Sequence, residues 1–518
     1  MRSEVGGGGR EDDVTGSREM LTVGLGGVSR HGCVALSDRG RIVGVCEQER
    51  ITRMRNAGFN ASGLPDEALD ALLSWRRLTR ASVGRFAAAE PLPTSGPRPL
   101  AQVEHHLAHA ATAYLSSAFP AATILICDRS APGVSVWAGA GATITRVEWS
   151  WAGPGLADLY GECAELFAGQ SPGGEQRFES LARLAPDSRD DTLNALLDSD
   201  GHSLIVTPGW RATVAARLSG SDDRAVKPEN ASVAAPLQRR IGDLVVALVT
   251  AVRQQTGGDC LCLGGSLFYH SSINTRVVRS GGFEKVFVPI DPGNGGLAVG
   301  TALHADGSSP RTVSPFLGPC YSKSEIKATL DNCKLAYNWE SEDGAIAAAV
   351  GALKNGLMVG WFEGSMEWGP RALGARCILA NPFAPYVLEN LNQFLKHREP
   401  WRGYGLSGLE QSVGAHFDGP GRSHFMEYDY RPLDPGRFAH VLPSSAAVVR
   451  LQTVGADAPP RFTRLLEAFG AATGLPFLVN TSFNGFREPI VCNPRDAVRV
   501  FYGTGIDVLV ADQFVLKK

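Results

Sequence analysis

From Leu21 onward the chain alternates short apolar runs of β-forming residues, each closed by glycine or charge, with longer stripes at helical spacing. That rhythm calls for an α/β architecture. Thr22–Leu25, Gly32–Leu36 and Arg41–Cys46 read as consecutive strands, the last two joined by the turn Ser37-Asp38-Arg39-Gly40. Pro65–Trp75 places Ala68, Leu69, Leu72 and Leu73 on one helical face. Pro236–Gln254 does the same with Ile241, Leu244, Val245, Leu248 and Val252. Ala122–Cys127 is a strand of buried type, with Val134–Ala138 as its expected partner. Cys260–Leu263 runs straight into Gly264-Gly265, a turn at which bare backbone can approach a ligand. Val286–Ile290 repeats the theme ahead of Gly293-Asn294-Gly295-Gly296.

A chain of 518 residues exceeds what one core organises, so at least two domains are expected. Serine, proline and glycine gather around Asp306–Pro319, which divides the chain into an N-terminal domain over 20–312, a linker over 313–340 and a C-terminal domain over 341–518. Ser322 and Glu325 have capping-box spacing ahead of a helix. Asp343–Asn355 and Ala497–Tyr502 read as further helices, Leu357–Phe362 as a strand, and Val508–Ala511 as the final strand. Residues 1–19, with Gly6-Gly7-Gly8-Gly9 and mixed charge, read as a disordered leader, and Met20 as a second candidate start.

The net charge of −3 gives no reason to expect nucleic acid or an anionic membrane as the partner. Ten scattered cysteines without paired CxxC units argue against structural zinc and a disulfide framework, and a reducing cytoplasm fits. The sequence holds no stretch of about 18 apolar residues, the length a membrane helix needs.

Four clusters stand out. In His105-His106-Leu107-Ala108-His109, His105 and His109 have i, i+4 spacing, which sets both rings on one helical face, able to grip a divalent ion. Asp128, closing the next strand, offers a carboxylate ligand, and such an N,O set suits iron or manganese. In Ser365–Arg376, Arg371 and Arg376 follow a Gly-Pro turn, a placement suited to phosphate. Lys396–Arg402 gathers Lys396, Arg398 and Arg402 around His397. Asn480-Thr481-Ser482-Phe483-Asn484 puts hydrogen-bonding groups after an apolar run, where ligand crevices form. Each of the last three is equally readable as ordinary surface or core; together they describe a pocket for a polyanion. A P-loop of the form GxxxxGK[ST] is absent, so ATP would have to be held another way.

Read together, His105–Ala110, Met366–Arg376, Lys396–Arg402 and Asn480–Asn484 with Glu488-Pro489-Ile490-Val491 resemble the NodU/CmcH family of O-carbamoyltransferases. Supporting matches are Glu47-Gln48-Glu49-Arg50 with Thr52-Arg53, Gly174-Glu175, Gly264-Gly265 with Asn274, and Leu317-Gly318-Pro319. The resemblance implies an N-terminal domain of sugar-kinase/actin type, similar to the tRNA threonylcarbamoylation metalloprotein, and a C-terminal YrdC-like domain. It implies that carbamoyl phosphate and ATP, with Mg2+, form carbamoyl adenylate at Arg371, Lys396 and Arg402, with Arg376, Ser482, Asn484, Gly264, Gly265 and Asn274 as binding residues. It also implies a metal, Fe2+, on His105, His109, Asp128 and Asn294, and a small-molecule hydroxyl as acceptor in antibiotic biosynthesis. A homodimer is compatible with it.

The departures from that pattern fall on the transfer side. Arg30-His31 stands where the family has a His-Asp pair, leaving His31 as the candidate catalytic histidine. Arg129-Ser130-Ala131-Pro132 replaces a glycine-rich turn after Asp128, and Asn294, with Asp291 close by, replaces an aspartate ligand. Arg487 closes a segment that normally ends in glycine. These changes leave open a homologue that only binds a ligand or partner, and transfer to an amine.

Overall fold

The structure, a computed structural model, describes residues 21–92, 96, 99–170, 173–219, 226–443 and 448–518; the expected leader lies outside them. It is a mixed α/β fold. The first sheet runs in the order Arg41–Glu47, Cys33–Asp38, Leu21–Gly26, Val83–Ala88, Leu100–Gln102. The first three strands are antiparallel neighbours and the last two join in parallel. Helix Asp66–Trp75 covers it with the four residues of its expected apolar face.

The second sheet repeats this plan, in the order Thr143–Val147, Val134–Ala140, Ala121–Cys127, Cys260–Gly264, Lys285–Phe287. The N-terminal half therefore contains one five-strand pattern twice. Each copy is followed by a helix, His105–Leu115 in the first and Leu297–Ala305 in the second. The two helices touch so closely that a Cβ on Gly300 would stand 2.2 Å from the Ala108 carbonyl oxygen. Only glycine fits there.

Helix Ala231–Thr256 begins five residues before the expected Pro236. Proline in the second turn cannot donate to the Ser232 carbonyl. The Ser188 hydroxyl, from a distant loop, donates to it instead at 2.9 Å. The capping box at Ser322 and Glu325 forms and starts helix Lys323–Asn332. Strand Asn338–Trp339 then pairs with Phe514–Lys517, so part of the expected linker belongs to the C-terminal sheet. Val508–Ala511 is not the last strand either; it turns back in a hairpin with Phe514–Lys517. The segment expected over Val286–Ile290 contracts to Lys285–Phe287.

The C-terminal sheet has ten strands. Its middle runs Val359–Phe362, Arg376–Ala380, Phe477–Ser482, Gly405–Leu409, Val449–Val454. Helices Glu342–Lys354 and Pro460–Thr473 bury Leu353, Phe462, Leu465 and Phe469 against Val359, Trp361 and Leu478.

Polar clasps lock the two halves. The Glu47 carboxylate accepts the Gly369 N–H at 2.6 Å, and Arg50 donates to the Gly369 carbonyl at 2.8 Å. Arg53 donates to the carbonyls of Ile490 and Pro489 at 2.6 and 2.7 Å. The motif Glu47–Arg50 with Arg53 is thus a seam, formed from groups that neither half could satisfy alone. All ten cysteines are free thiols, and among the described residues no helix is long and apolar enough to cross a membrane.

Candidate active site

Helix His105–Leu115 starts at Glu104, whose carboxylate caps it by accepting the N–H groups of His106 and Leu107 at 3.1 and 2.7 Å. The three histidines of its first turns divide. His106 is held by Ser135 Oγ at 2.7 Å and the Ser130 carbonyl at 3.0 Å, bracing the turn after Asp128. His105 and His109 face the other way, rings 4.8 Å apart, with their Nε2 atoms 3.3 and 3.9 Å from Asp128 Oδ2. Ligand atoms of His105, His109 and Asp128 all lie within 4.8 Å of one another.

Gly264-Gly265 serves this cluster. A Cβ on Gly265, at φ +98°, would stand 2.2 Å from the Cys127 carbonyl oxygen. The Gly265 N–H is engaged by the Pro292 carbonyl, and the next residue, Ser266, donates its N–H to Asp128 Oδ1 at 3.0 Å. The expected nucleotide turn therefore holds the Asp128 carboxylate. Ser130 N–H reaches Oδ2 at 3.1 Å. Burial alone would raise the pKa of Asp128, but His105, His109 and these two N–H groups hold it well below the usual carboxylate range.

His109 is 1% exposed, and neither ring nitrogen has a hydrogen-bond partner among the described residues. Burial pushes its pKa down to about 3 against the pull of Asp128, so the imidazole is neutral at pH 7. A buried, neutral, orphaned imidazole beside an ionised carboxylate fits a divalent ion. Asn294 opens the turn Asn294–Gly296 with its carbonyl fronting Gly26, and no hydrogen bond among the described residues engages its side chain. Asp291 is not part of the cluster; it accepts the Tyr269 hydroxyl and the Gly293 N–H. His31 is exposed, at φ +61°, on the loop packed against Gly27.

The phosphate candidates separate into three kinds. Lys396, closing a π-helical stretch, donates to the carbonyls of Ser482 and Asn484 at 2.7 and 3.1 Å and to Asn484 Oδ1 at 2.6 Å. Ser482 Oγ donates to the same Oδ1 at 2.8 Å, so these three residues form one locus. Burial, with Arg398 and Arg55 nearby, holds the Lys396 pKa well below the ordinary lysine range. Arg402 shares Glu399 with Arg177 of helix Gly174–Ala182, at 3.7 and 3.1 Å. Burial, Arg398 and Arg177 push its pKa down to about 9. Among the described residues Arg371 makes one long hydrogen bond, 3.5 Å to the Tyr269 carbonyl, and burial with Arg450 and Arg183 beside it lowers its pKa to about 9. Such under-partnered cations gain most from an anion.

Arg376 is different. It is fully buried, stacked 3.7 Å over Phe362, and donates to the carbonyls of Glu363, Ala375, Gly364, Pro319 and Cys492 at 2.5–3.4 Å. It is a strut under the Arg371 turn, not a phosphate ligand. Arg376→Ala, which strands these carbonyls, is expected to lower the melting transition by about 5 °C or more in a thermal scan. Asn274 is also structural: its amide donates to the carbonyls of Phe268 and Glu427, tying the halves together. Arg487, at φ +57°, occupies a left-handed conformation that explains the usual glycine there.

Two residues of this seam escaped the sequence reading. Arg450, on strand Val449–Val454, and Glu179, on helix Gly174–Ala182, meet at 2.5 Å beside Arg371. Arg450 gave only the signal of a charge inside an apolar run, and Glu179, on a largely polar helix, gave none.

Residues 78–303 match the carbamoyltransferase N-terminus family and residues 350–518 the carbamoyltransferase C-terminus family. Protein sll1178 of Synechocystis sp. is 31% identical over 471 residues, covering 81% of this chain and 76% of its own length. Nodulation protein NolO of Bradyrhizobium diazoefficiens is 28% identical, covering 80% and 79%. The 3'-hydroxymethylcephem-O-carbamoyltransferase of Amycolatopsis lactamdurans is 30% identical over 55% and 54%. The solved structure of T. kodakarensis HypF has a TM-score of 0.34 at 13% identity over 56% of this chain and 48% of its own, too low to carry function across. With both family regions present in order, and a relative aligned over most of its length, the chain is a transferase that belongs to the carbamoyltransferase family.

Proposed function

We propose that the protein moves a carbamoyl group from carbamoyl phosphate, through an ATP-derived carbamoyl adenylate, to a small-molecule hydroxyl in natural-product biosynthesis. The observation that carries this reading is the pairing of two sites across one clasped seam: under-partnered cations on the C-terminal side and the His105, His109, Asp128 cluster on the other. The C-terminal half acts as the YrdC-like, adenylate-forming unit. There water cleaves carbamoyl phosphate to carbamate and inorganic phosphate, a carbamate oxygen attacks the α-phosphorus of ATP, and the bond to pyrophosphate breaks. Arg371 and Arg402 bind and orient the phosphates, with Lys396 fixing the wall made by Ser482 and Asn484.

The acceptor hydroxyl then attacks the carbamoyl carbon, and AMP departs. A divalent ion, iron or manganese by its N,N,O donors, would be held by His105, His109 and Asp128, with Asn294 as the candidate fourth ligand, and would supply positive charge for the adenylate phosphate. His31 acts as the catalytic histidine. The clasps at Gly369 and Pro489–Ile490 hold the two sites on one joined seam.

The test is exchange of labelled pyrophosphate into ATP in the presence of carbamoyl phosphate, with no acceptor added. Exchange supports adenylate formation. Folded protein that gives none would mark a binding homologue instead.

A further inference from the structure

Glu179 is 1% exposed, although it is an acid placed among cations that a phosphate would want. It reaches across from the N-terminal half to Arg450 at 2.5 Å and takes Arg183, one helical turn along its own half, at 3.1 Å, while Ser272 N–H and Oγ donate to it at 3.2 and 3.0 Å. Arg183 has a second acid, both Asp429 oxygens lying at 2.9 Å. Among the described residues Arg450 has no other acid: its remaining contacts are Ser271 Oγ at 2.6 Å and the Tyr269 carbonyl at 3.4 Å. That same Tyr269 carbonyl accepts from Arg371, its one hydrogen bond among the described residues, so Arg371 and Arg450 converge on one peptide.

We propose that Glu179 is an internal anion that occupies Arg450 and so sets how strongly this seam binds phosphate. The inference rests on the proposed reading of Arg371 as a phosphate ligand and deepens it. A phosphate drawn to Arg371 meets Arg450 next to it, already neutralised from the opposite half of the molecule. To engage both guanidiniums the phosphate must displace the Glu179 carboxylate, and in doing so it breaks a tie between the halves. Occupancy of the adenylate-forming side is thereby coupled to the seam that leads to the metal cluster. Charge-assisted contacts are strong enough for this competition to be measurable.

The test is calorimetric titration of the full chain with inorganic phosphate. Glu179→Gln keeps the volume and an oxygen to accept from Ser272 but removes the charge. It should bind phosphate about tenfold more tightly than the parent. Glu179→Asp, which draws the carboxylate back by one methylene, should move the same way if Glu179→Gln does not fold. In an Arg450→Met background the Glu179→Gln effect should vanish, because the group it competes for is gone. Weaker binding by Glu179→Gln would show that Glu179 merely orients Arg450, and would overturn the proposal. So would an effect that persists in the Arg450→Met background. If no form binds phosphate, Arg371 is not a phosphate ligand, and the underlying reading falls first.

Discussion

Arg371→Ala is expected to lower carbamoyl-phosphate-dependent exchange of pyrophosphate into ATP by about 10²–10³-fold, and transfer with it. The argument begins with the Gly369-Pro370 turn. Gly369, at φ +88°, is clamped from the other half by Glu47 and Arg50, which fixes the base of the Arg371 side chain. Arg376, just below, is immobilised by its five carbonyl contacts. The guanidinium is therefore held in place while, among the described residues, it has a single hydrogen bond at 3.5 Å and two arginines for neighbours. An arrangement that costs charge stability in the free protein becomes favourable when a phosphate arrives. Lysine cannot repair the loss, because a point charge cannot grip two oxygens at once. Exchange within about threefold of the parent would remove Arg371 from the site.

His105→Ala is expected to behave oppositely on one of the two readouts, losing transfer by about 10³-fold while leaving exchange nearly intact. His105 is the better target than His109, since it is only partly buried and its removal opens no deep cavity. Asp128 would keep the Ser266 and Ser130 N–H groups, so the strand end should stay in place. Elemental analysis supplies an independent check: the variant should retain less bound metal than the parent. Equal loss of exchange and transfer would contradict a division of labour between the halves.

Much of the local structure was legible because burial writes a period into sequence. The strand from Leu21 and the stripe of Asp66–Trp75 follow periods of two and 3.6 residues, and both elements formed within a residue or two of expectation. The start of helix Ala231–Thr256 was hidden, because the donor that replaces the missing proline N–H sits on Ser188. Such a partner, 44 residues away, leaves no local trace. The strand claimed from the linker, Asn338–Trp339, was hidden for the same reason: its pairing partner lies at the chain's end.

The metal cluster was readable from i, i+4 spacing and a strand-end aspartate, both of which are local rules. The arginines were harder. Arg371 and Arg376 belong to one motif and look alike in sequence, yet one ends a turn and the other starts a strand that points it into carbonyls. Glu179 and Arg450 are separated by 271 residues, and nothing in either neighbourhood announces the other.

The contact of Gly300 with the Ala108 carbonyl has a mechanical consequence. One of the two touching rods carries the histidines at its tip, and the other carries Asn294 at its head and fronts the loop of His31. With no side chain between them to act as a cushion, neither can slide alone. A push on one tip is therefore felt by the other helix through a bare backbone contact.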